Sequence, residues 1–292
     1  MTFYDMPLYR PPSEGPNLIL QATLGCSFNG CTFCSMYKTK TFRARPLDTL
    51  FAEIDDAAAD WPDAHRVFLA DGDALVLPTD HLLALLGRLR DRLPELQRVS
   101  CYATPTNLLR KSVDELARLK AAGLRLVYVG IESGDPAMLR KIRKGATQAS
   151  MIRALERARD AGLKVSATVI LGLGGATLWR QHIAGTAELV NRAPPTYLST
   201  LQLRLDPDLE ARFMAAFGEP FRWQDDAGVL EELEDLVARL DPPRPVIFRS
   251  NHASNALALA GNLPKDRDRL LAEIGAARAG ARVLRPRFLR GL

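Results

Sequence analysis

Three of the four cysteines in this chain of 292 residues stand close together, at positions 26, 31 and 34. Thiolates at this spacing, C-x4-C-x2-C, can converge from one tight loop onto a soft metal, either zinc or an iron–sulfur cluster. A disulfide framework would instead spread an even number of cysteines along a short secreted chain. The cysteines therefore predict a metal site in a protein of a reducing compartment, the cytoplasm.

The residues alone leave two metals open. A structural zinc site takes four ligands, and the next candidates after Cys26, Cys31 and Cys34 are His65 and His81, which fall on or beside other predicted elements. Three thiolates suit a four-iron cluster, in which one iron keeps an open position for a ligand that is not protein. The odd number of cysteines favours the cluster.

The chain around the cysteine loop alternates between short β-rich runs and amphipathic helical stretches. Six strands, each followed by helix, are predicted at 17–22, 66–70, 98–103, 124–130, 163–171 and 197–203. This alternation predicts an α/β fold, a partial (β/α)6 TIM-like barrel of parallel strands with right-handed crossovers. Ligand sites in such folds lie at the carboxyl ends of the strands, where the cysteine loop begins.

No low-complexity linker divides the chain, so we expect the barrel to occupy residues 1–241. Residues 242–292 are expected to form a C-terminal helical extension on or near the barrel mouth, with a last helix over 265–279 and a solvated basic tail. Lys and Arg number 39 against 34 Asp and Glu, which is too small an excess to indicate a polyanionic partner. The longest nearly uncharged stretch, 165–179, is interrupted by glycines and is too short for a membrane helix, so no membrane contact is expected.

Together with the motifs at the ends of the later strands, the cysteine loop makes residues 17–205 resemble the radical S-adenosylmethionine (SAM) enzymes. In that family three cysteines after the first strand hold a four-iron four-sulfur (4Fe-4S) cluster, and SAM chelates the open iron through its amino and carboxylate groups. The resemblance implies that Cys26, Cys31 and Cys34 hold the cluster and that Phe33 lies against the adenine. One departure is the first gap, which is four residues here and most commonly three in the family.

An Asp-Gly-Asp sequence follows the second strand, where the family usually carries Gly-Gly-Glu. The resemblance implies that Asp71, Gly72 and Asp73 contact SAM and that Asp73 hydrogen-bonds its methionyl ammonium. Asp-Gly-Asp is also a common turn sequence, and the three residues would then form only a turn. Their position at a strand end favours the cofactor.

Three further segments complete the cofactor site that the resemblance implies. The fourth strand ends in GIESG, where Glu132, assisted by Ser133, would take the ribose hydroxyls. The fifth strand ends in a glycine-rich turn, in which Gly172 would let the adenine pack on the backbone or would serve only a packing turn. Arg204, after the sixth strand, would meet a carboxylate or would be an exposed strand-end residue.

Substrate-facing residues are expected from polar positions near strand ends. Gln202 lies on the sixth strand, and Arg249, Asn251 and His252 stand together in FRSNHASN, which would form a substrate rim or a turn before a helix. Cys101, on the third strand, is either buried core or, if it points into the barrel, a catalytic hydrogen-atom donor to a substrate radical.

The resemblance implies a reaction in which one electron from the cluster cleaves SAM to methionine and a 5′-deoxyadenosyl radical, which then takes hydrogen from a substrate. It also implies flavodoxin or ferredoxin as electron donor. The substrate, a small metabolite or a nucleotide or RNA, is left open. The alternative is a zinc-binding module that contacts RNA or protein and uses the same cysteines; it predicts a colourless protein instead of a brown one.

Overall fold

The computed structural model describes residues 4–291. The strands are β1 (Leu18–Gln21), β2 (Thr23–Leu24), β3 (Arg43–Ala44), β4 (Arg66–Ala70), β5 (Arg98–Ala103), β6 (Leu124–Glu132), β7 (Lys164–Leu171), β8 (Tyr197–Gln202), β9 (Val246–Arg249) and β10 (Ala260–Leu263). The α-helices are α1 (Leu47–Asp60), α2 (Thr79–Arg92), α3 (Pro105–Arg110), α4 (Val113–Ala121), α5 (Pro136–Lys141), α6 (Gln148–Asp160), α7 (Gly175–Arg192), α8 (Pro207–Phe217), α9 (Asp226–Arg239) and α10 (Arg267–Arg278).

Eight of these strands form one mostly parallel sheet in the order β1-β4-β5-β6-β7-β8-β9-β10. Its order in space follows the order in the chain, as repeated β-helix-β crossovers require. The sheet is not closed among the described strands, because β1 and β10 stand at its two edges. The predicted α/β fold with a partial barrel of parallel strands is confirmed. The sheet also extends past the six predicted strands: β9 pairs parallel with β8, and β10 pairs antiparallel with β9.

Helix ends follow local signals that the sequence carries. Ser112 and Glu115 form a capping box at the start of α4, with the Ser112 side chain accepting from the Glu115 N–H and the Glu115 carboxylate accepting from the Ser112 N–H. The short helices α3 and α5 each carry a proline at the first position and span six residues. Six residues are too few to show a helical hydrophobic period, which explains why neither was predicted.

Contacts divide the described chain into two compact units. The first comprises residues up to Asn29, Met36–Val129 and Glu156–Val165, and the second comprises Gly30–Ser35, Gly130–Leu155 and the residues from Ser166 onward. In the first unit α1 packs on α2, and α2 packs on α4. In the second unit α9 packs on α7 and on α10. The boundary expected between residues 241 and 242 stays a prediction.

The basic tail is exposed at Val283 and Phe288, but three of its arginines are bonded to the protein and not simply solvated as expected. Arg290 donates to both carboxylate oxygens of Asp226 at 2.7 and 2.9 Å, and Arg282 pairs with Glu273. Arg285 donates to the carbonyl oxygens of residues 252 and 253 at 2.8 Å each. Acidic residues on α9 and α10 therefore form ion pairs with tail arginines for which the sequence indicated no partner.

No helix in the described part of the chain is both long and apolar enough to cross a membrane.

Candidate functional site

The first cysteine sits in a loop that the end of β4 holds in place within the first unit. The buried carboxylate of Asp71 accepts from the backbone N–H of Gly25 at 3.0 Å and from Gln21 at 3.1 Å, and it pairs with Lys40 at 2.9 Å. A Cβ on Gly72 would lie only 2.3 Å from the Cα of Cys26. Both oxygens of Asp71 are thus used inside the protein, and Asp71 and Gly72 position the residues around Cys26.

Asp73 makes the next contact with the same loop. Its Oδ1 accepts from the backbone N–H of Ser27 at 2.8 Å, and its Oδ2 accepts from the Ser27 hydroxyl. Burial raises the pKa of this carboxyl above its usual range, against hydrogen bonds from Ser27, Asn107 and Cys26. Within residues 4–291 no Lys or Arg forms an ion pair with Asp73. A buried carboxylate without a cationic partner would gain most from an incoming ammonium group.

Cys101 lies in the packed core of the first unit and not on an open face. Its register partners on β4 and β6 are Leu69 and Val127, and all three side chains are fully buried. The neighbouring position on the strand, Tyr102, points to the opposite, partly exposed face. Burial raises the pKa of the Cys101 thiol to about 12. Since a substrate cannot reach this thiol without displacing packed side chains, the structure gives no support to hydrogen donation by Cys101.

The other two cysteines belong to the second unit, where a lysine that the sequence did not single out accompanies them. Buried Thr32 donates its N–H to the carbonyl oxygen of Ile142 at 3.0 Å, which anchors the turn between Cys31 and Cys34 beside the end of α5. Lys144 follows, with its Nζ 5.9 Å from the centre of the Phe33 ring. The Lys144 ammonium therefore lies in the same unit as two of the three thiols, close to the turn that carries them.

Lys144 is paired with Glu132 at the end of β6. Its Nζ lies 2.9 Å from Oε1 of Glu132, and the two side chains are only 12% and 9% exposed. Burial alone would lower the pKa of Lys144. Glu132 and the thiols of Cys31 and Cys34 outweigh burial, so that the pKa rises to about 12. Lys144 is therefore a fixed positive charge that interacts with Glu132 and with both thiols.

Glu132 itself adopts an unusual backbone conformation. Its φ of +60° lies in the left-handed region, which costs a residue with a Cβ roughly 1–2 kcal/mol. A Cβ on Gly130 would lie 1.9 Å from Oε1 of Glu132, so only glycine leaves room for this carboxylate. Strained backbone conformations of this kind persist only where the surrounding structure enforces them, and they are common at active and ligand-binding sites.

A buried hydrogen-bond network joins the end of β6 to the end of β7 within the second unit. Nδ1 of His182 lies 2.8 Å from the hydroxyl of Ser133, and its Nε2 lies 3.1 Å from the carbonyl oxygen of Ile170. Because a carbonyl only accepts, Nε2 carries the proton and Nδ1 accepts from Ser133. The N–H of Gly172 donates to both carboxyl oxygens of Glu232 at 3.0 Å. Ser133 and Gly172, both expected to contact SAM, are thus held by residues of α7 and α9.

The remaining residues expected to bind substrate or cofactor lie in different surroundings. Gln202 lies on the face of β8 that carries fully buried Leu198 and Thr200, and Arg204 is exposed beyond the strand. Asn251 is exposed, and His252 turns back so that its Nδ1 accepts from the N–H of Ser254 at 3.1 Å. Ser254 joins two of these residues, because its hydroxyl accepts from the backbone N–H of Gln202 at 3.1 Å and lies 2.9 Å from Nδ1 of His252. Arg249, on β9, is partly exposed, as Gln202 is.

Comparison with known proteins assigns the family. A model of the radical SAM superfamily matches residues 20–189, which is more than half of the chain. The chain belongs to the radical SAM superfamily. Members of this superfamily are enzymes that use SAM and a 4Fe-4S cluster and require an electron donor. Of the two alternatives left open by the sequence, the family therefore favours an enzyme and not a zinc-binding module.

Individual relatives of this radical SAM protein agree with the assignment. It is 30% identical over 176 residues to an uncharacterized protein of Methanopyrus kandleri, covering 56% of this chain and 33% of that one. It is 26% identical over 165 residues to the heme chaperone HemW of Bacillus subtilis, covering 54% and 43%. The structure of coproporphyrinogen III oxidase (HemN) from Escherichia coli, a radical SAM enzyme, matches 76% of this chain and 51% of its own, with a TM-score of 0.60 and 20% identity. The chain spans less than half the length of the curated relatives it matches.

The residues present fit the cluster and SAM by their chemistry. Cys26, Cys31 and Cys34 lie in loops with partly exposed side chains, whereas Cys101 is buried. Within residues 4–291 no three His, Cys, Asp or Glu side chains are already gathered around a metal position. The fit therefore rests on the thiol donors, on the Lys144 charge beside two of them and on the buried Asp73 carboxylate.

Three functional candidates were missed at the sequence level: Lys144, His182 and Glu232. His182 and Glu232 carry a readable signal, because each falls on the apolar stripe of its helix, at the spacing of Trp179 and Ile183 or of Val229 and Leu236. A polar residue on such a stripe is buried and must be bonded. Lys144 follows a six-residue helix and carries no periodic signal.

Proposed function

We propose that this chain holds one 4Fe-4S cluster on Cys26, Cys31 and Cys34 and cleaves SAM reductively, so that a 5′-deoxyadenosyl radical takes hydrogen from a substrate. The observation that carries the proposal is the set of functional groups that the chain holds after its strands. Three thiols, a buried carboxylate without a cationic partner and a buried Lys–Glu pair supply the groups that a cluster and an amino-acid cofactor require. The cluster would supply the electron for the cleavage when bound.

Each side chain has a stated task in this proposal. Asp73 accepts hydrogen bonds from the methionyl ammonium of SAM, for which it would be the charge partner. Glu132 accepts hydrogen bonds from the ribose hydroxyls and stays oriented by Lys144. Lys144 supplies a positive charge near the thiols and has N–H donors for an anionic oxygen of the cofactor. Phe33 offers an apolar face to the adenine.

The network behind these groups holds the backbone on which SAM would lie. Ser133 cannot donate to SAM while its hydroxyl donates to His182, so its task is to fix the turn after Glu132. Asp135 extends this turn by donating its N–H to Ser133 Oγ at 3.0 Å. Glu232 holds Gly172, the start of the glycine-rich turn, by the N–H.

Partner and location follow from the same chemistry. A cluster of this kind needs an electron at low potential, so the proposed donor is a reduced flavodoxin or ferredoxin. An oxygen-sensitive cluster and reduced cysteines are maintained in the cytoplasm, which is the proposed location.

Anaerobic reconstitution tests the proposal. The purified chain should bind about four irons and absorb broadly near 400 nm. With dithionite and SAM it should form 5′-deoxyadenosine and methionine in equal amounts. Cys26→Ala, Cys31→Ala and Cys34→Ala should each lose the iron and the products, and Cys101→Ala is the matched control that should keep both. A colourless protein with one zinc, or an intact cluster that yields no 5′-deoxyadenosine, would contradict it.

A further inference from the structure

A row of polar side chains crosses three neighbouring strands of the second unit. Thr168 on β7 is the register partner of Ser199 on β8, and Ser199 is the partner of Arg249 on β9. Partners in a parallel pair point to the same face, so the three side chains stand side by side. With strands about 4.8 Å apart, the row spans about 10 Å between its outer Cα atoms.

The face that carries this row is the open face of these strands. Positions one residue away on the same strands, which point to the opposite face, are covered by helices and fully buried; they are Ala167, Val169, Leu198, Thr200 and Phe248. Thr168, Ser199 and Arg249 are each partly exposed. A solute can therefore reach the row.

Arg249 brings a positive charge that the protein does not neutralise. Its Nη1 donates to the carbonyl oxygens of Phe248 at 2.8 Å and of Gly261 at 3.4 Å. These bonds fix the guanidinium, but carbonyl oxygens carry no net charge. Within the described residues no carboxylate lies within 4 Å of it, in contrast to Arg290, which pairs with Asp226. A fixed, partly buried cation without an anion favours the binding of an anionic ligand.

The two hydroxyls complete the donor set. The side chains of Thr168 and Ser199 form no hydrogen bond with another residue in the described part of the chain, although each can donate one. A guanidinium fork beside two hydroxyl donors matches a carboxylate or phosphate, whose oxygens accept several hydrogen bonds in one plane or around one centre.

We propose that the Thr168–Ser199–Arg249 row binds an anionic group, a carboxylate or a phosphate, of the substrate. The identification of the ligand as substrate rests on the proposed function; the binding of the anion does not. One member of the row, Thr168, lies on β7, which ends at Leu171 directly before Gly172 of the glycine-rich turn.

Binding of two small anions tests the site. The full chain is reconstituted with its cluster, and inorganic phosphate binding is followed by 31P line broadening, acetate binding by saturation transfer to its methyl protons. Variants are Arg249→Gln, Arg249→Lys and Ser199→Ala, and the matched control is Arg244→Gln, which removes an equal charge from an exposed position on the approach to β9. Thermal melts report whether each variant folds.

The expected result is binding of one or both anions to the wild type and to Arg244→Gln, weakened about tenfold or more in Arg249→Gln. Arg249→Lys should recover part of the affinity, and Ser199→Ala, which removes one partly exposed hydroxyl and so should fold, should weaken binding severalfold. Preference for phosphate or for acetate identifies the anion. Equal binding by wild type, Arg249→Gln and Ser199→Ala, or no binding by the wild type, would overturn the proposal. Formation of 5′-deoxyadenosine is measured on the same samples, so failure of the proposed function is seen separately.

Discussion

Gly172 donates its backbone N–H to both carboxyl oxygens of Glu232, at 3.0 Å each, although the two residues are sixty positions apart. Burial raises the pKa of Glu232 to about 8. His182, whose Nε2 lies 3.5 Å from the same carboxyl, has its pKa lowered by burial to about 4. Near neutral pH both side chains are therefore mostly uncharged, and the glycine-rich turn is held by a protonated carboxyl.

This pair predicts how stability changes with pH. In the unfolded chain Glu titrates near 4.3 and His near 6.5. Between those values the folded state holds an extra proton on Glu232 and lacks one on His182, so the two effects oppose each other. From pH 6.5 to 8 only Glu232 differs, the folded state holds more protons, and stability falls as pH rises. Glu232→Gln should remove this fall and raise the Tm at pH 8 relative to wild type.

The comparison is a thermal melt of wild type, Glu232→Gln and Glu232→Ala between pH 6 and 8.5. Glu232→Ala leaves the Gly172 N–H without an acceptor and should cost about 1–3 kcal/mol at every pH. Glu231→Gln is the matched control, since the neighbouring Glu231 side chain is 42% exposed and pairs with Arg180. If Glu232→Gln kept the wild-type slope, Glu232 would not be the titrating group.

Lys144 and Glu132 predict a separation of stability from cofactor affinity. Lys144→Met leaves a carboxylate that is 9% exposed without its partner and should destabilise the fold by about 1–3 kcal/mol. The double variant Lys144→Met with Glu132→Gln should recover most of that loss, because no charge is then left alone. Its dissociation constant for SAM should still rise by about tenfold or more, because both proposed contacts are gone.

Calorimetric titration with SAM and urea unfolding give the two quantities. Lys141→Met is the control, because Lys141 lies three residues earlier, at the end of α5, and pairs with Glu219. Wild-type affinity in the double variant would show that the pair serves the fold alone.

Replacing Cys101 should lower the stability of the protein without changing its iron content or its yield of 5′-deoxyadenosine. Cys101→Ala deletes a fully buried sulfur and should cost about 1 kcal/mol through the cavity it leaves. Iron content and yield of 5′-deoxyadenosine per cluster should equal those of wild type. Loss of product with iron retained would instead indicate a catalytic role for Cys101.

How far the sequence predicts this molecule depends on how local each signal is. The six parallel strands and the capping box at Ser112 were predictable, because strand runs and caps are set by residues next to one another. Strand β10, AGNL, was not, because it lacks β-branched and aromatic residues and forms by pairing with β9.

The candidate site divides along the same line. The three cysteines, Asp73 and Glu132 stand at strand ends, where a parallel α/β fold places its ligands. The face that a strand residue occupies is set by register, which the sequence does not fix. Gln202 was expected on a polar face and lies on the face that carries buried Leu198 and Thr200, and of the two alternatives left open for Cys101 the structure shows the buried one. Lys144, His182 and Glu232 arrive from helices and loops, and only the packed structure shows what they contact.

Asp73 yields the sharpest test of how the cofactor would be held. Asp73→Asn keeps an oxygen for the Ser27 N–H and removes a buried charge, so stability should change by no more than about 1 kcal/mol. Affinity for SAM should fall about tenfold or more, because the ammonium loses its charge partner.

Since burial raises the pKa of Asp73, wild-type affinity should also fall as pH is lowered through that pKa, and Asp73→Asn should show no such dependence. Titration with SAM over a pH series that begins near the ordinary value of an aspartate measures both. Asp71→Asn is the contrasting variant: Asp71 is paired with Lys40, so its loss should lower the Tm far more than Asp73→Asn does. Equal affinity and equal pH dependence in wild type and Asp73→Asn would assign Asp73 to the Ser27 loop alone.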